Sequence, residues 1–338
     1  MKKPYKTDVA VLLLFFTRSD TFQQVFDAVR EARPSKLFLY QDGPRGERDI
    51  AGIEACRQIA CDENIDWECE VYRNYQEYNQ GCDPSEFISQ RWAFNIVDKC
   101  IVLEDDDVPS QSFFPFCKEM LDRYEDDERI TMIAGFNTDE VTIDVPYDYF
   151  FTRVFSIWGW ASWSRVVNNW DEDYNFVKNP ELYSTLCNKS RQYKQRKEML
   201  YLCQSHAGSG VEYYETIFWA YMMLHDGMAI MPSKNMVSNI GMNEGTHYST
   251  QLELMPKRLR RMFTMQRYDI NFPIKHPEKV AEYPGYQTRH YLRNAWNNPW
   301  RKILYSLEEL WLNILHGNWS KIISALRQRI GKWLRRKD

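Results

Sequence analysis

Four consecutive acids, Glu104, Asp105, Asp106 and Asp107, directly follow the apolar run Cys100-Ile101-Val102-Leu103. Adjacent carboxylates raise one another's pKa and destabilise a loop unless positive charge sits among them. A divalent cation is the simplest remedy. Mn²⁺ or Mg²⁺ favours oxygen ligands, takes one or two carboxylates, and leaves its other positions to water and substrate phosphates. The competing explanation is a solvated acidic turn serving the N-terminal dipole of a helix that begins near Ser110.

The elements that must position these acids are legible upstream. Short apolar runs recur at Val9 to Phe16, Lys36 to Tyr40, Trp67 to Tyr72 and Cys100 to Leu103. Between them lie segments of helical period, such as Phe22, Val25, Phe26 and Val29, or Phe87, Trp92, Phe94 and Val97. Strands alternating with helices at about thirty-residue intervals are βαβ units, which predict a parallel sheet buried on both faces. Ligands in such sheets collect at the carboxyl ends of the strands. The polar segments there are Thr17-Arg18-Ser19-Asp20, Gln41-Asp42-Gly43-Pro44, Asn74 to Cys82 and the acid run itself. Beyond residue 130 the alternation loosens into Ile130 to Gly135, an aromatic segment from Tyr147 to Trp163, a charged helical stretch near 189 to 202, and Ala229 to Pro232.

Composition bounds the class. With 338 residues, 44% hydrophobic and 15% aromatic, the chain has ample apolar surface to bury, which excludes a disordered or low-complexity protein. Lys2, Lys3 and Lys6 before Val9 to Phe16 imitate a signal peptide. Eight apolar residues followed at once by Thr17-Arg18-Ser19-Asp20, without a small-residue cleavage site, read instead as a buried strand. Eight cysteines without a C-x-x-C pair are expected to be mostly reduced, which favours the cytoplasm. No stretch reaches the ~18 apolar residues of a membrane span.

Charge is unevenly distributed. Residues 289 to 338 hold 11 Lys+Arg and 3 Asp+Glu, whereas residues 1 to 288 hold 32 basic and 44 acidic side chains. Trp300, Leu304, Leu307, Trp311 and Ile314 step by four and three residues. After His316-Gly317-Asn318, Trp319, Ile323, Leu326, Ile330 and Trp333 repeat the pattern. The spacing predicts two amphipathic helices joined by a turn, the second carrying Lys321, Arg327, Arg329, Lys332, Arg335 and Arg336. Such a basic hairpin suits an anionic membrane surface, and a packed hairpin or homodimer interface is the alternative. No zinc-finger or RRM signature accompanies the basic residues, so nucleic acid is not the expected partner.

The run Ile101-Val102-Leu103-Glu104-Asp105-Asp106 followed by Phe113-Phe114 resembles the metal-binding motif of GT-A glycosyltransferases, in particular the N-acetylglucosaminyltransferase I type and related bacterial nucleotide-diphospho-sugar transferases. The resemblance continues in order through Thr17-Arg18-Ser19, Gln41-Asp42, Ile133-Ala134-Gly135-Phe136-Asn137, Trp158-Gly159-Trp160 and Pro232 to Gly241, across about residues 8 to 248. It implies an α/β fold of GT-A type: a Rossmann-like, mainly parallel sheet with flanking helices over residues 1–250. An irregular linker and acceptor-side extension would follow over 251–299, then the helical hairpin over 300–338.

The same resemblance implies that Asp106 binds Mn²⁺ or Mg²⁺, that Glu104 and Asp105 contact the ribose or water around the metal, and that Arg18 and Asp42 hold uracil. Asp107 is an extra acid, which leaves the metal ligand open between Asp106 and Asp107. Glu215, before an aromatic helix, falls where similar transferases place the base that deprotonates the incoming hydroxyl. Glu212 is its rival, and a helix N-terminal acid is the plain alternative for both. His247 would approach the diphosphate or complete the metal shell. Trp158 and Trp160 would stack on a sugar face beside Gly159, which permits close backbone approach, or else belong to the core.

The function implied is transfer of a sugar, with inversion, from a UDP-sugar donor to a hydroxyl of a glycan or lipid-linked acceptor in surface-polysaccharide assembly. The enzyme would be peripheral on the inner face of the membrane. Two alternatives stay open: a nucleotidyltransferase that makes the sugar nucleotide, although Val11 to Thr17 lacks the glycine-rich phosphate loop that chemistry uses, and a non-catalytic carbohydrate-binding protein on the same fold.

Overall fold

The computed structural model describes residues 2–190, 192–242, 255–324 and 327. Its main sheet has eight strands in the order β3-β2-β1-β4-β8-β6-β9-β7. They are β1 (Thr7–Phe15), β2 (Pro34–Gln41), β3 (Glu70–Tyr75), β4 (Lys99–Glu104), β6 (Ile130–Ala134), β7 (Tyr149–Thr152), β8 (Trp160–Trp163) and β9 (Met228–Pro232). A separate antiparallel ribbon pairs β5 (Asp107–Pro109) with β10 (Val237–Asn239). The first half is βαβ throughout: β3, β2, β1 and β4 run parallel, with α1 (Ser19–Ala32), α2 (Glu47–Ile59) and α3 (Cys82–Phe94) as crossovers. In the second half β8 runs antiparallel to both β4 and β6, so β4 and β6 point the same way. The result is a mixed, mainly parallel α/β sheet with flanking helices.

The apolar runs become central strands because their side chains are buried on both faces. In β1 every residue from Val9 to Phe15 is buried, and β4 buries Cys100 to Leu103. β3 begins three residues later than the hydrophobic pattern suggests. Trp67 is fully buried but lies before the strand, its indole N–H donating to the Pro34 carbonyl at 2.8 Å, while the edge strand itself is only half-buried.

Helices α4 (Phe113–Arg123), α5 (Ser164–Val167), α6 (Asn175–Lys178), α7 (Pro180–Lys189), α8 (Tyr193–Ala207) and α9 (Tyr214–Leu224) complete the body. The segment expected to be an irregular linker contains two helices, α10 (Lys257–Thr264) and α11 (Pro284–Arg293), and docks on the sheet. Tyr286 is fully buried with its hydroxyl 2.9 Å from that of Thr138, and Asp269 accepts from the Ser112 amide at 2.8 Å. The chain continues into α12 (Pro299–Leu315), after which residues 319–324 are helical. The rest of the expected second hairpin helix lies outside the described residues. No disulfide links the cysteines, and among the described residues no helix is long and apolar enough to cross a membrane.

Candidate active site

The carboxyl ends of β1, β2 and β4 open onto a cavity of about 370 Å³ lined by residues that include Phe16, Arg18, Tyr40, Asp42, Glu86, Glu104 and Asp105. This is the edge at which a parallel sheet presents its ligand crevice.

The acid run does not cap a helix. α4 begins at Phe113, and its Ser112 amide is served by Asp269. The acids instead leave β4 and enter β5, whose pairing sets Asn239 opposite Asp107. That ribbon fixes two carboxylates at once, because the Asn239 amide donates to Asp106 Oδ1 at 2.8 Å and to Asp107 Oδ1 at 3.1 Å. Asp107 also accepts from the Gly159 amide at 2.8 Å, and Gly159 adopts a left-handed φ of 63°. A side chain at Gly159 would be strained by that φ and would meet Val237 Cγ2 at 2.7 Å. Gly241 is constrained by packing alone, since an added Cβ would overlap Asp106 Oδ2.

Arg18, at the start of α1, supplies the cation nearest the acids. Its guanidinium pairs with Asp105 and lies 2.8 Å from Asp106 Oδ2. One guanidinium is not enough. Burial pushes the Asp105 carboxyl up to about 6 despite Arg18, and burial together with neighbouring carboxylates drives Glu104 and Asp107 well above their ordinary range.

A second acidic group completes the negative charge. Carboxylate oxygens of Asp83 and Glu86, from the first turns of α3, and of Glu215, from the first turn of α9, lie within 4.8 Å of one another. Glu86 is 8% exposed and its Oε2 has no hydrogen-bond partner among the described residues. Burial, Glu215 and Asp83 hold its carboxyl well above the usual carboxylate range. Glu86 in turn raises Glu104, so Glu215 and the acid run share one field through it. A buried carboxylate oxygen lacking a donor adds to a field of excess negative charge in which a hard divalent cation beside the acid run would be favoured.

Asp83 and Glu86 were not singled out in the sequence. Their signal was two acids in the opening turns of a helix after Gly81, indistinguishable by type from acids that serve a helix dipole. Glu212 precedes α9 and is not one of the three grouped carboxylates.

The remaining residues are placed as follows. Asp42 is buried at the end of β2, where it accepts from the amides of Gly43, Gln80 and Gly81 and from Asn79 Nδ2 at 2.7 to 3.1 Å. It therefore anchors the loop that leads into α3. Trp158 is partly exposed and packs edge-on against Phe136, with ring centroids 4.6 Å apart. Trp160 is a correction to the expected sugar-stacking pair. It is 1% exposed, enclosed by Phe94, Trp170, Tyr214 and Phe218, and offers no ring face to a ligand. The strand boundary explains the difference, since residues two apart share a face only within a strand and Trp160 begins the strand that Trp158 precedes. His247 lies outside the described residues.

No protein-family model and no curated protein sequence matches this chain. Among solved structures it is similar to a UDP-glucose pyrophosphorylase complexed with UDP-glucose, at 9% identity and a TM-score of 0.34, covering 70% of this chain and 95% of that one. It is similar also to mouse xyloside xylosyltransferase 1, at 10% identity and a TM-score of 0.33, covering 64% and 81% of the two chains. The glycosyltransferase GlyE of Streptococcus pneumoniae TIGR4 aligns at 11% identity with a TM-score of 0.31, over 93% of this chain and 64% of that one.

Proposed function

We propose that the chain is a metal-dependent glycosyltransferase that moves a sugar from a UDP-sugar to a hydroxyl of a glycan or lipid-linked acceptor. The observation that carries the reading is the strand-end crevice lined by Glu86, Glu104 and Asp105, with Arg18 paired to Asp105 and Asp106 and with Glu215 grouped with Glu86 beside it. An excess of carboxylates around the Arg18 guanidinium suits a site that receives Mn²⁺ or Mg²⁺ together with a diphosphate. Asp106, beside Asp105 and Asp107, would hold the metal, with His247 as a further ligand. Bound there, the metal would neutralise the charge that develops on the leaving diphosphate.

The chain's own residues have separable tasks in this reading. Glu215 takes the proton of the incoming hydroxyl as the new bond forms at the anomeric carbon and the bond to the diphosphate oxygen breaks, which gives inversion in a single displacement. Glu86 and Asp83 are its carboxylate neighbours and border the position of the incoming hydroxyl. Arg18 stabilises the acid run and faces the nucleotide, and Asp42 shapes the loop that borders the uracil pocket. Trp158 and Gly159 border the sugar side. The setting is the inner face of a membrane where lipid-linked acceptors lie.

The test is thermal stabilisation by UDP with and without Mn²⁺, followed by slow hydrolysis of a panel of UDP-sugars. A ligand selective for the folded state raises its stability by about 2.7 kcal/mol at a hundred times its Kd. Asp106→Asn is expected to abolish metal-linked stabilisation, and Glu215→Gln to keep UDP binding while losing transfer. Absence of any UDP or metal response in the intact protein would overturn the reading.

A further inference from the structure

On the sheet edge that carries the acid run, a second and larger cavity of about 560 Å³ is lined by four arginines, Arg261, Arg289, Arg293 and Arg301, and two aspartates, Asp139 and Asp144. It shares that edge because the loop of residues 135–148 leaves β6, and β6 points the same way as β4. The aspartates are committed: Arg289 bonds Asp139 at 2.7 Å and Asp144 at 2.8 Å, and Arg293 bonds Asp139 at 2.5 Å. Arg261 meets carboxylate only at 3.8 Å, from Glu140, and also donates to the Asp139 carbonyl, while Arg301 donates to the Leu292 carbonyl at 3.4 Å. Among the described residues Arg301 thus has no carboxylate partner, and Arg261 has only the loose pair with Glu140. The two arginines belong to α10, whose eight residues carry four basic side chains and no acid, and to α12.

α12 itself is docked in the opposite sense to an ordinary surface helix. Polar and ring contacts tie it to the body: Glu308 accepts from the Lys257 amide at 2.8 Å, Arg258 lies over the Tyr305 ring at 5.0 Å, and the exposed Lys302 pairs with Glu198 at 3.3 Å. Its apolar stripe is left in solvent, with Trp300 74%, Leu304 61% and Trp311 60% exposed, and Trp319 continues it beyond the turn. Exposed tryptophan and leucine on one side of a helix, next to the unpaired guanidinium of Arg301 and the loosely paired one of Arg261, match the two halves of a bilayer interface, acyl boundary and anionic headgroup.

We infer that this face is a membrane-docking surface, in which α12 lies in the interface and the groove between α10, α11 and α12 receives the phosphate of an anionic phospholipid headgroup. Docking in this way sets the carboxyl edge of the sheet toward the bilayer. The inference does not require the proposed reaction, but under it a lipid-linked acceptor would reach the acidic crevice without leaving the membrane.

The experiment uses the full chain and large vesicles of phosphatidylcholine, with or without phosphatidylglycerol. Binding is read by co-sedimentation and by the emission of the exposed tryptophans. Co-sedimentation and a blue shift with the anionic vesicles are expected. Arg261→Gln with Arg301→Gln should weaken anionic-vesicle partitioning roughly 30-fold, at about a fivefold effect per basic residue near the surface. Leu307→Ser with Trp311→Ser should remove binding to both vesicle types. Inorganic phosphate at constant ionic strength serves as competitor, and complete displacement of the protein by it would reduce the groove to a site for the free ion and overturn the inference. So would an absent blue shift in the intact chain, or an α12 variant that turns a dimer into a monomer while vesicle binding persists. UDP and Mn²⁺ stabilisation measured without vesicles reports the acidic crevice separately, so either reading can fail alone.

Discussion

Glu86→Gln is the substitution that most directly interrogates the negative field of the crevice. Glu86 is buried, lacks a donor for Oε2, and shares a 4.8 Å neighbourhood with Asp83 and Glu215. Two like charges at that separation repel by about 3 kcal/mol at an effective dielectric near 20. Gln keeps the shape and removes the charge. Without metal the wild-type carboxyl resists ionisation, so the variant gains stability relative to wild type as the pH rises above the ordinary carboxylate range. The gain is about 1 to 3 kcal/mol near pH 8, or roughly 2 °C in melting temperature per kcal/mol for a chain of this size. Below pH ~4 both proteins carry neutral groups at this position and the difference vanishes. Added Mn²⁺ reverses the ranking, because the lost charge weakens cation binding by roughly tenfold or more. Melting curves across pH, with and without Mn²⁺, measure all of this. A variant less stable than wild type at pH 8 without metal, or one stabilised by Mn²⁺ as strongly as wild type, would refute the electrostatic account.

Gly241→Ala forces Asp106 out of place, since its Cβ would lie 1.9 Å from Oδ2 and 2.9 Å from Arg18 Nη1. Loss of the charge-assisted contacts made by Asp106 should cost about 2 to 4 kcal/mol by denaturant titration and abolish metal-linked UDP binding. Asp105, held up at about 6 chiefly by burial, binds a proton in the folded chain that the unfolded chain has released. Its contribution therefore falls by about 3 kcal/mol as pH rises from ~4 through ~6. Asp105→Asn should flatten that part of the stability profile, and parallel profiles for the two proteins would count against it. Trp160→Ala should destabilise the fold by about 3 to 5 kcal/mol, as removal of a buried aromatic does. Trp158→Ala should instead spare most of the stability and raise KM, and equal melting losses for the two would contradict their different burial.

The sequence by itself determined the first half of the sheet, because strands buried on both faces must read as unbroken apolar runs and the helices between them must show a 3.6 period. It also marked the acid run at the end of the fourth such strand, and the amphipathic stripe that became α12. Trp158 and Trp160 could not be separated in sequence, since one buried and one partly exposed indole two residues apart look alike until a strand boundary falls between them. The helices of residues 257–264 and 284–293 were hidden behind prolines that mark helix starts as readily as linkers.

Tertiary structure alone decided which charges meet. Arg18 faces Asp105 and Asp106 across 87 and 88 positions, Asn239 holds Asp106 and Asp107 across 133 and 132, and Glu86 joins Glu215 to the acid run. It also decided that α12 is tied to the body through Glu308 and Tyr305 and leaves its tryptophans out. Periodicity constrains a segment against its own axis, whereas the pairing of distant charges and the face a helix buries depend on the neighbours the fold supplies, which no local pattern encodes.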